Sequence, residues 1–304
     1  MLLVAGQARA WNGFGHMAVA SVAYQRLAPA TRARVKTLLR LNPSYATRWK
    51  PRIPAGTPVA EADEMLFMLA ANWPDEIKRD DRYHDDGTGG GDRPPTDGSA
   101  ARNVGYRDTA RHKYWHFIDR PFAIDGTPLP PVPTPNAGTQ IAAFRAALAS
   151  RRSDALKSYD LTWLLHLVGD VHQPLHCATR VSAVRPDGDA GGNGVALSCR
   201  GCSGLHAFWD GLLGPADATP AAVIAVARTL PEPDAAAAAK RDERDWIAES
   251  FALAREKVYG PPIGPGAGPY QPTTGYRNMA RALVRKRIAL AGARLANLLN
   301  GELR

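Results

Sequence analysis

The sequence contains only three cysteines in 304 residues, so a dense disulfide framework cannot hold the chain together. It also lacks any apolar run near the roughly 18 residues that a membrane-spanning helix needs. With 28 glycines and 25 prolines, it is neither collagen-like nor of low complexity. Hydrophobic residues make up 45% and charged residues 22%, which is typical of a soluble globular protein of one large domain or two small ones.

Strand signals are scarce, whereas apolar residues at helical spacing are frequent. One or two helices are predicted over residues 16–41, and further helices over 60–71, 139–158, 160–173, 205–213, 218–230, 235–259 and 276–300. Irregular segments rich in Gly, Pro or Asp are predicted over 79–105, 121–138, 178–204 and 260–275, with a short hairpin as one form that 178–204 can take. We therefore expect a mainly α, single-domain fold interrupted by long Pro/Gly-rich loops.

The chain carries a formal net charge of +9. A basic balance of this size favours an anionic partner such as nucleic acid, although many basic proteins have none. No protein partner and no oligomeric interface can be inferred from the sequence.

Residues 1–10 resemble the end of a signal peptide. An apolar stretch at 2–5 precedes the sequence ARA at 8–10, which fits the small–x–small cleavage pattern. The basic region that opens a signal peptide is missing, and the apolar stretch is short. We interpret residues 1–10 as the remnant of a signal peptide and 11–304 as the catalytic domain, and we expect a secreted or periplasmic protein.

The cysteines offer two interpretations. Cys199 and Cys202 form a C-x-x-C sequence, which in an exported protein favours a small disulfide. The alternative, half of a zinc knuckle, needs a second ligand pair nearby, and the sequence has none there. Cys177 stands apart.

Two His/Asp pairs share a spacing that suits metal binding. His166 and Asp170 lie four residues apart on one predicted helix and so project from the same face, and His206 and Asp210 repeat that spacing. Imidazole and carboxylate ligands without cysteine suit a hydrolytic Zn²⁺ site. A single pair would be a weak signal, but two of them in a chain with eight histidines carry more weight.

Other polar residues are expected to have no role in chemistry. His84 and His112 are predicted to be exposed to solvent. His172 lies six residues after His166, about 240° around the helix, and so faces away from it. An acidic run favours a solvated loop over a Ca²⁺ site; it contains Asp80, Asp81, Asp85 and Asp86.

Six motifs in order resemble the S1/P1 nuclease family. They are WNGFGH at 11–16, ANWPDEIK at 71–78, HFID at 116–119, LLHLVGDVHQPLH at 164–176, GGN at 191–193 and LHAFWD at 205–210. The resemblance is to a bacterial-type member, and it implies the mainly α fold of the phospholipase C/P1 nuclease type. The last 90 or so residues carry no such motif and are assigned by continuity as helices on the same core.

The resemblance also implies three Zn²⁺ ions per chain. The first would be held by Asp75, His116, His166 and Asp170. The second would be held by His176, His206 and Asp210. The third would be held by His16, by Asp170 as a bridge, and by Trp11 through its free α-amino group and carbonyl oxygen, which requires cleavage before Trp11.

The implied activity is hydrolysis of single-stranded DNA and RNA to 5′-phosphate products, with 3′-nucleotidase activity on nucleotides left open. Asp75 would orient the nucleophilic water, and Lys78 would stabilise charge on the phosphate or the leaving oxygen. Phe117 and Asp119 resemble a base pocket, to which Asn193 would add a polar contact. Each of three residues also has a purely structural alternative: Lys78 as a surface lysine, Phe117 as a core residue and Asp119 as a helix cap.

Two competing functions remain. A zinc phospholipase C shares the three-zinc arrangement and an N-terminal Trp, but the short spacing from Trp11 to His16 and the presence of Asp210, where a glutamate is expected, argue against it. A non-enzymatic exported nucleic-acid-binding protein fits the charge but has no need of so many metal-type ligands.

Overall fold

Helices dominate the computed structural model, which describes residues 11–199 and 201–303. The α-helices are α1 (Gly13–Arg26), α2 (Pro29–Arg40), α3 (Val59–Ala71), α4 (Trp73–Ile77), α5 (Ala137–Ala149), α6 (Asp154–Asp170), α7 (Leu205–Asp210), α8 (Pro220–Ala227), α9 (Ala235–Ala239), α10 (Glu243–Leu253) and α11 (Thr274–Glu302). Short 3₁₀ or π turns occupy Tyr45–Trp49, Lys50–Arg52, Gly105–Arg107, Lys113–Trp115, Pro174–Cys177 and Ala254–Val258. The expected mainly α fold is confirmed. The signal-peptide interpretation of residues 1–10 lies outside the described residues.

The centre of the fold is helix α1 packed against α3, α6, α8 and the long helix α11. The segment 14–24 of α1 is buried on every side, which is typical of a helix at the centre of a core. Gly292 permits the close approach of α11, because a Cβ there would lie 2.5 Å from Val22 Cγ1. The final helix thus belongs to the same core as α1, as continuity predicted.

Two predicted helix boundaries are wrong, and capping residues explain both. The prediction of helices over 139–158 and 160–173 placed the break near 159, but α5 ends at Ala149 and α6 begins after Ser153, whose side chain caps Leu156 N. The predicted helix 235–259 is divided, because Asp242 caps a new helix at Arg244 N. Short polar side chains that bind backbone N–H groups favour such starts over helix continuation.

Within the described part of 178–204, antiparallel pairing is limited to the isolated bridge between Ser182 and Arg185. Strand β2 (Thr179–Val181) pairs in parallel with the distant strand β1 (Pro121–Ala123). Next to this pairing, Ile118 N donates to His176 O at 2.7 Å. The small sheet therefore ties the HFID segment to the segment that follows α6.

No helix in the described ranges is both long enough and apolar enough to cross a membrane.

A buried charge network joins α10 to α11. Both oxygens of Glu249 accept from Arg294, at 2.8 and 2.9 Å, and Arg287 Nη1 lies 3.2 Å from Glu249 Oε2. Both arginines are buried, and His172 Nε2 lies 3.0 Å from Arg294 Nη1. Glu249 therefore neutralises two guanidinium groups inside the protein.

We expect Glu249→Ala to lower the free energy of unfolding by about 2–4 kcal/mol, because it leaves two buried arginines without their shared carboxylate. This expected loss of stability is smaller than the loss for a fully buried ion pair because 25% of the Glu249 side chain is exposed. Urea denaturation measures it. The control is Glu232→Ala, which removes an exposed partner of Arg26 and should leave the midpoint unchanged; equal midpoints for both variants would contradict the assignment.

Candidate metal centre

Six segments deliver histidine and aspartate side chains to one buried region. They are α1 with His16, α4 with Asp75, the turn after Lys113–Trp115 with His116, α6 with His166 and Asp170, and the segments of Pro174–Cys177 and α7 with His176, His206 and Asp210. These residues form three groups whose ligand-type atoms lie within 4.8 Å of one another: His16, His166 and Asp170; Asp75, His116 and His166; and His176, His206 and Asp210.

The group of Asp75, His116 and His166, taken together with Asp170, has the dimensions of a tetrahedral site. His166 Nε2 lies 3.0 Å from His116 Nδ1, 3.4 Å from Asp170 Oδ2 and 3.7 Å from Asp75 Oδ1. His116 Nδ1 lies 3.2 Å from the same Asp170 oxygen and 4.0 Å from Asp75 Oδ1. Four ligands about 2.0 Å from a Zn²⁺ ion would be about 3.3 Å apart. The four atoms thus fit one ion with small adjustments.

Asp170 serves two groups at once. Its Oδ2 faces His116 and His166, whereas its Oδ1 lies 3.3 Å from His16 Nε2. The rings of His16 and His166 are stacked at 3.7 Å between centroids. Because its two oxygens face different histidines, this carboxylate is placed to bridge two metal ions.

The third group lies between the Pro174–Cys177 turn and α7. His176 Nε2 and His206 Nε2 are 3.1 Å apart, and His206 Nε2 is 3.5 Å from Asp210 Oδ2. The other carboxylate oxygen, Oδ1, accepts from Gln173 Nε2 at 2.7 Å. Gln173 thereby fixes the orientation of the Asp210 carboxylate.

Backbone carbonyls fix the orientation of three of these histidines. In each ring Nδ1 lies against a carbonyl oxygen, which only accepts, so Nδ1 carries the proton and Nε2 offers a lone pair to the cluster. The pairs are His166 with Ala71 O at 2.7 Å, His176 with His116 O at 2.8 Å, and His206 with Gly191 O at 2.7 Å. Such outer contacts are typical of metal-binding histidines.

Several buried polar atoms of the cluster lack a hydrogen-bond partner among the described residues. They are both ring nitrogens of His16, Nε2 of His116, Oδ1 of Asp170 and Oδ2 of Asp210. Buried polar atoms are normally satisfied, because each unsatisfied one costs about 1–3 kcal/mol. Cations would satisfy most of these atoms at once, so the donor set fits bound metal.

Burial also shifts the pKa values of the cluster. Burial lowers the pKa of His16 and of His166 to about 4, so both rings are neutral at pH 7. Burial raises the pKa of Asp170 to about 8. A nearby cation would offset this cost of burying a carboxylate.

The proposed catalytic pair lies at the edge of the cluster. Lys78 Nζ is 2.8 Å from Asp75 Oδ1, so the surface-lysine interpretation is wrong: Lys78 is 8% exposed and ion-paired. Burial raises the pKa of Asp75, but Lys78, His166 and His16 outweigh it and hold that pKa below its usual range. Asp75 is therefore ionised, and its side chain is 22% exposed, more than those of the other ligand-type residues.

Phe117 and Asp119 follow His116 and are half-buried. Burial, with Asp189 and Asp92 nearby, raises the pKa of Asp119 to about 7. Asn193 is also half-buried, and its amide donates to Ala190 O at 2.7 Å. Their contacts to a base remain predictions.

Trp11 is fully buried beside the His16 group. Its indole Nε1 donates to Gly169 O at 2.9 Å, and its Cδ1 lies 3.7 Å from where a Cβ of Gly169 would be. The Trp11 side chain therefore lies beside the His16 group, and its role as a ligand through its α-amino group remains a prediction.

The expectation that His112 is solvated is wrong. His112 is 3% exposed, its ring stacks on Trp115, and its two nitrogens lie 2.6 Å from Asp86 and 2.9 Å from Asp108. Asp86, Asp108 and the ring of Trp115 compensate the burial of His112. Because Asp86 belongs to the 79–105 loop, its contact with His112 holds that loop next to the turn that carries His116.

The acidic run is also more structured than expected. Asp86 binds His112, Asp85 binds Arg111 and Lys113, and the nearly buried Asp80 binds Arg48 and Arg82. His84 is exposed, as predicted. His172 faces away from the cluster, as predicted, with its Nδ1 bonded to Val168 O at 2.7 Å.

Sequence reasoning missed three residues that position ligands: Gly169, Gln173 and Gly191. All three lie inside quoted motifs, but their contacts depend on tertiary structure. Gly191 has φ +60°, and a Cβ there would lie 2.5 Å from Leu175 O, which explains the glycine. The GGN motif therefore orients His206 through a backbone carbonyl.

We expect Gly169→Ala to weaken Zn²⁺ binding by about 10- to 100-fold, since its methyl group would lie 2.9 Å from His16 Nδ1 and displace that ring. Titration against a chromophoric chelator measures the change. Gly275→Ala is the matched control, because it also lies in a helix but has its nearest neighbour at 3.9 Å. Unchanged zinc affinity in Gly169→Ala would remove His16 from the site.

The cysteines agree with the disulfide interpretation: Cys199 and Cys202 are bonded, and Cys177 is free and buried.

Two comparisons relate this chain to known proteins. The chain is similar to a protein of Arabidopsis thaliana named Endonuclease 4, with 37% identity over 70 residues. That alignment covers 21% of this chain and 21% of the relative, so the chain spans about a fifth of that relative. The sequence profile described as S1/P1 Nuclease matches residues 11–304. Because this match covers nearly the whole chain, the protein belongs to the S1/P1 nuclease family.

Proposed function

We propose that this protein is a zinc-dependent phosphodiesterase that hydrolyses single-stranded DNA and RNA to 5′-phosphate products. Membership of the S1/P1 nuclease family supports a hydrolase acting on phosphodiester bonds. The observation that carries the zinc proposal is the bridging position of Asp170, whose two oxygens face two different sets of buried histidines. A lipid headgroup hydrolase has no comparable support.

Three zinc ions would be held by the residues that the resemblance assigned. Asp75, His116, His166 and Asp170 would hold one; His176, His206 and Asp210 a second; His16, Asp170 and the terminal amine and carbonyl of Trp11 a third. Bound zinc supplies charge neutralisation for the phosphate and lowers the pKa of water towards about 7.

The chain's own groups would position the reactants. The ionised Asp75 carboxylate would accept a hydrogen bond from the attacking water and aim its lone pair at phosphorus. The new P–O bond forms as the P–O3′ bond breaks; the attacking water loses a proton to solvent, and the leaving oxygen departs with the electron pair and gains a proton from solvent. Lys78, 2.8 Å from Asp75, lies where its ammonium group would stabilise charge on the phosphate or on that leaving oxygen.

A base next to the scissile phosphate would stack on the half-buried ring of Phe117, while Asp119 would bind the base edge. Stacking contributes about 1–3 kcal/mol per base and requires an unstacked base, which favours single strands. Asn193 would add a polar contact, although its amide is already bonded to Ala190 O. The same pocket would accept a nucleoside 3′-phosphate, so 3′-nucleotidase activity belongs to this proposal.

We further propose that the protein is secreted or periplasmic. The disulfide between Cys199 and Cys202 supports an oxidising compartment. An exported nuclease fits the interpretation of residues 1–10 as a signal-peptide remnant.

We expect Asp170→Asn to lower bound zinc from about three ions per chain towards one, and to lower cleavage of single-stranded DNA by at least about 10³-fold, because one change disturbs two metal sites. Metal content by mass spectrometry and a fluorescent oligonucleotide assay measure the two effects. Asp160→Asn is the matched control, because Asp160 is also a buried carboxyl on α6 but lies outside the three groups. Full turnover by Asp170→Asn would refute the bridged cluster.

A protein that begins at Trp11 should bind about three zinc ions and be active, whereas one that retains residues 1–10 should lack the ion held by the terminal amine and lose most activity. The two preparations are compared for zinc content and cleavage under the same conditions. Equal zinc and equal activity would exclude the amine of Trp11 as a ligand while leaving the histidine and aspartate groups in place.

A further inference from the structure

A basic cleft opens beside the catalytic pair. Its volume is about 340 Å³. Four cationic side chains line it, Arg48, Arg52, Lys78 and Arg79, together with the acidic Asp75 and Glu76. We call it the arginine cleft. It contains Asp75 and Lys78 at one end, so any group bound along it lies next to the reacting phosphate of the proposed mechanism.

Arg48 and Arg52 lie on two turns that are anchored by a buried tryptophan. Arg48 and Arg52 belong to the consecutive turns Tyr45–Trp49 and Lys50–Arg52, and Trp49 between them is fully buried. Arg48 is held by Asp80, which Arg82 also contacts, so one carboxylate serves two guanidinium groups. The region around the cleft therefore keeps a positive excess.

Two of the cations are available to a ligand. Arg79 is exposed and has no ion-pair partner among the described residues. Arg52 pairs with Glu76 at 2.7 Å, but its side chain is 43% exposed, so the pair is weak and exchangeable.

Neutral groups in the cleft also suit an anionic, polar ligand. Asn12 and Gly13 form the start of α1 and line the cleft, so the positive end of that helix dipole faces it. Asn72 also lines the cleft and is only 6% exposed.

We propose that the arginine cleft binds the internucleotide phosphates that flank the scissile bond, and so makes the protein prefer polynucleotides over dinucleotides. The proposal rests on the phosphodiesterase function given above. A polynucleotide presents a phosphate at every residue, and exposed guanidinium groups recognise phosphate oxygens as paired donors. A dinucleotide has only the scissile phosphate, so it reaches Lys78 at the end of the cleft but has no flanking phosphate for Arg52 and Arg79.

The test compares the dinucleotide dTpdT with a 20-residue oligothymidylate, for the wild type and for the double variant Arg52→Ala/Arg79→Ala. We expect the ratio of kcat/KM on the oligonucleotide to kcat/KM on dTpdT to fall by about tenfold or more in the variant, mainly through KM. The slope of log(kcat/KM) against log[salt] on the oligonucleotide should shrink by about 1.4, since each lost phosphate contact removes about 0.7.

Two further variants give the controls. Arg151→Ala/Arg281→Ala removes the same charge from exposed residues that do not line the cleft, and should leave the ratio and the slope unchanged. Arg52→Lys/Arg79→Lys keeps the charge and should restore most of the salt slope. Circular dichroism melting curves verify that each variant is folded.

The outcomes separate this inference from the function on which it rests. If the wild type cleaves neither substrate, the proposed phosphodiesterase function fails. If it cleaves both and Arg52→Ala/Arg79→Ala leaves ratio and slope unchanged, the function stands and the arginine cleft does not bind flanking phosphates. An equal loss in the Arg151→Ala/Arg281→Ala control would reduce the effect to net charge and would also overturn the proposal.

Discussion

The burial of the Asp170 carboxylate is the constraint on which the rest of the site depends. This side chain is at the end of α6, at 0% exposure, with His16 on one oxygen and His116 and His166 on the other. A carboxylate in such a position is unstable unless positive charge compensates it, which is why its pKa rises to about 8 without a cation. A cation beside either oxygen would therefore favour the ionised form of this carboxylate. Metal binding and the folded arrangement of α1 and α6 are therefore expected to support each other.

Backbone carbonyls of the surrounding fold orient the histidine rings so that their Nε2 atoms face the cluster around Asp170. The carbonyl of Ala71 at the end of α3 orients His166, and the carbonyl of Gly191 orients His206. The carbonyl of His116 orients His176, so one ligand-type residue orients another, and the β1–β2 pairing holds their two segments side by side.

The sequence revealed the ligand-type residues but not what supports them. The spacing of His166 and Asp170 is a local property of one helix, so it could be predicted, and the helical class followed from periodicity in the same way. By contrast, His112 was predicted to be solvated. The contacts with Asp86 and Asp108 that compensate the burial of its ring form only when the loop folds back, so the sequence did not reveal them. The parallel pairing of β1 and β2 joins segments almost 60 residues apart, and three-residue strands carry too little pattern to be recognised. The function of Gly169 is likewise a matter of tertiary contact.

The most direct test of the metal centre is anomalous diffraction from crystals of the protein that begins at Trp11, recorded on both sides of the zinc absorption edge. The account predicts three zinc peaks per chain, two of which share Asp170, with the third between His176, His206 and Asp210. Peaks located elsewhere, or a zinc-loaded crystal in which Asp170 contacts no metal, would contradict it.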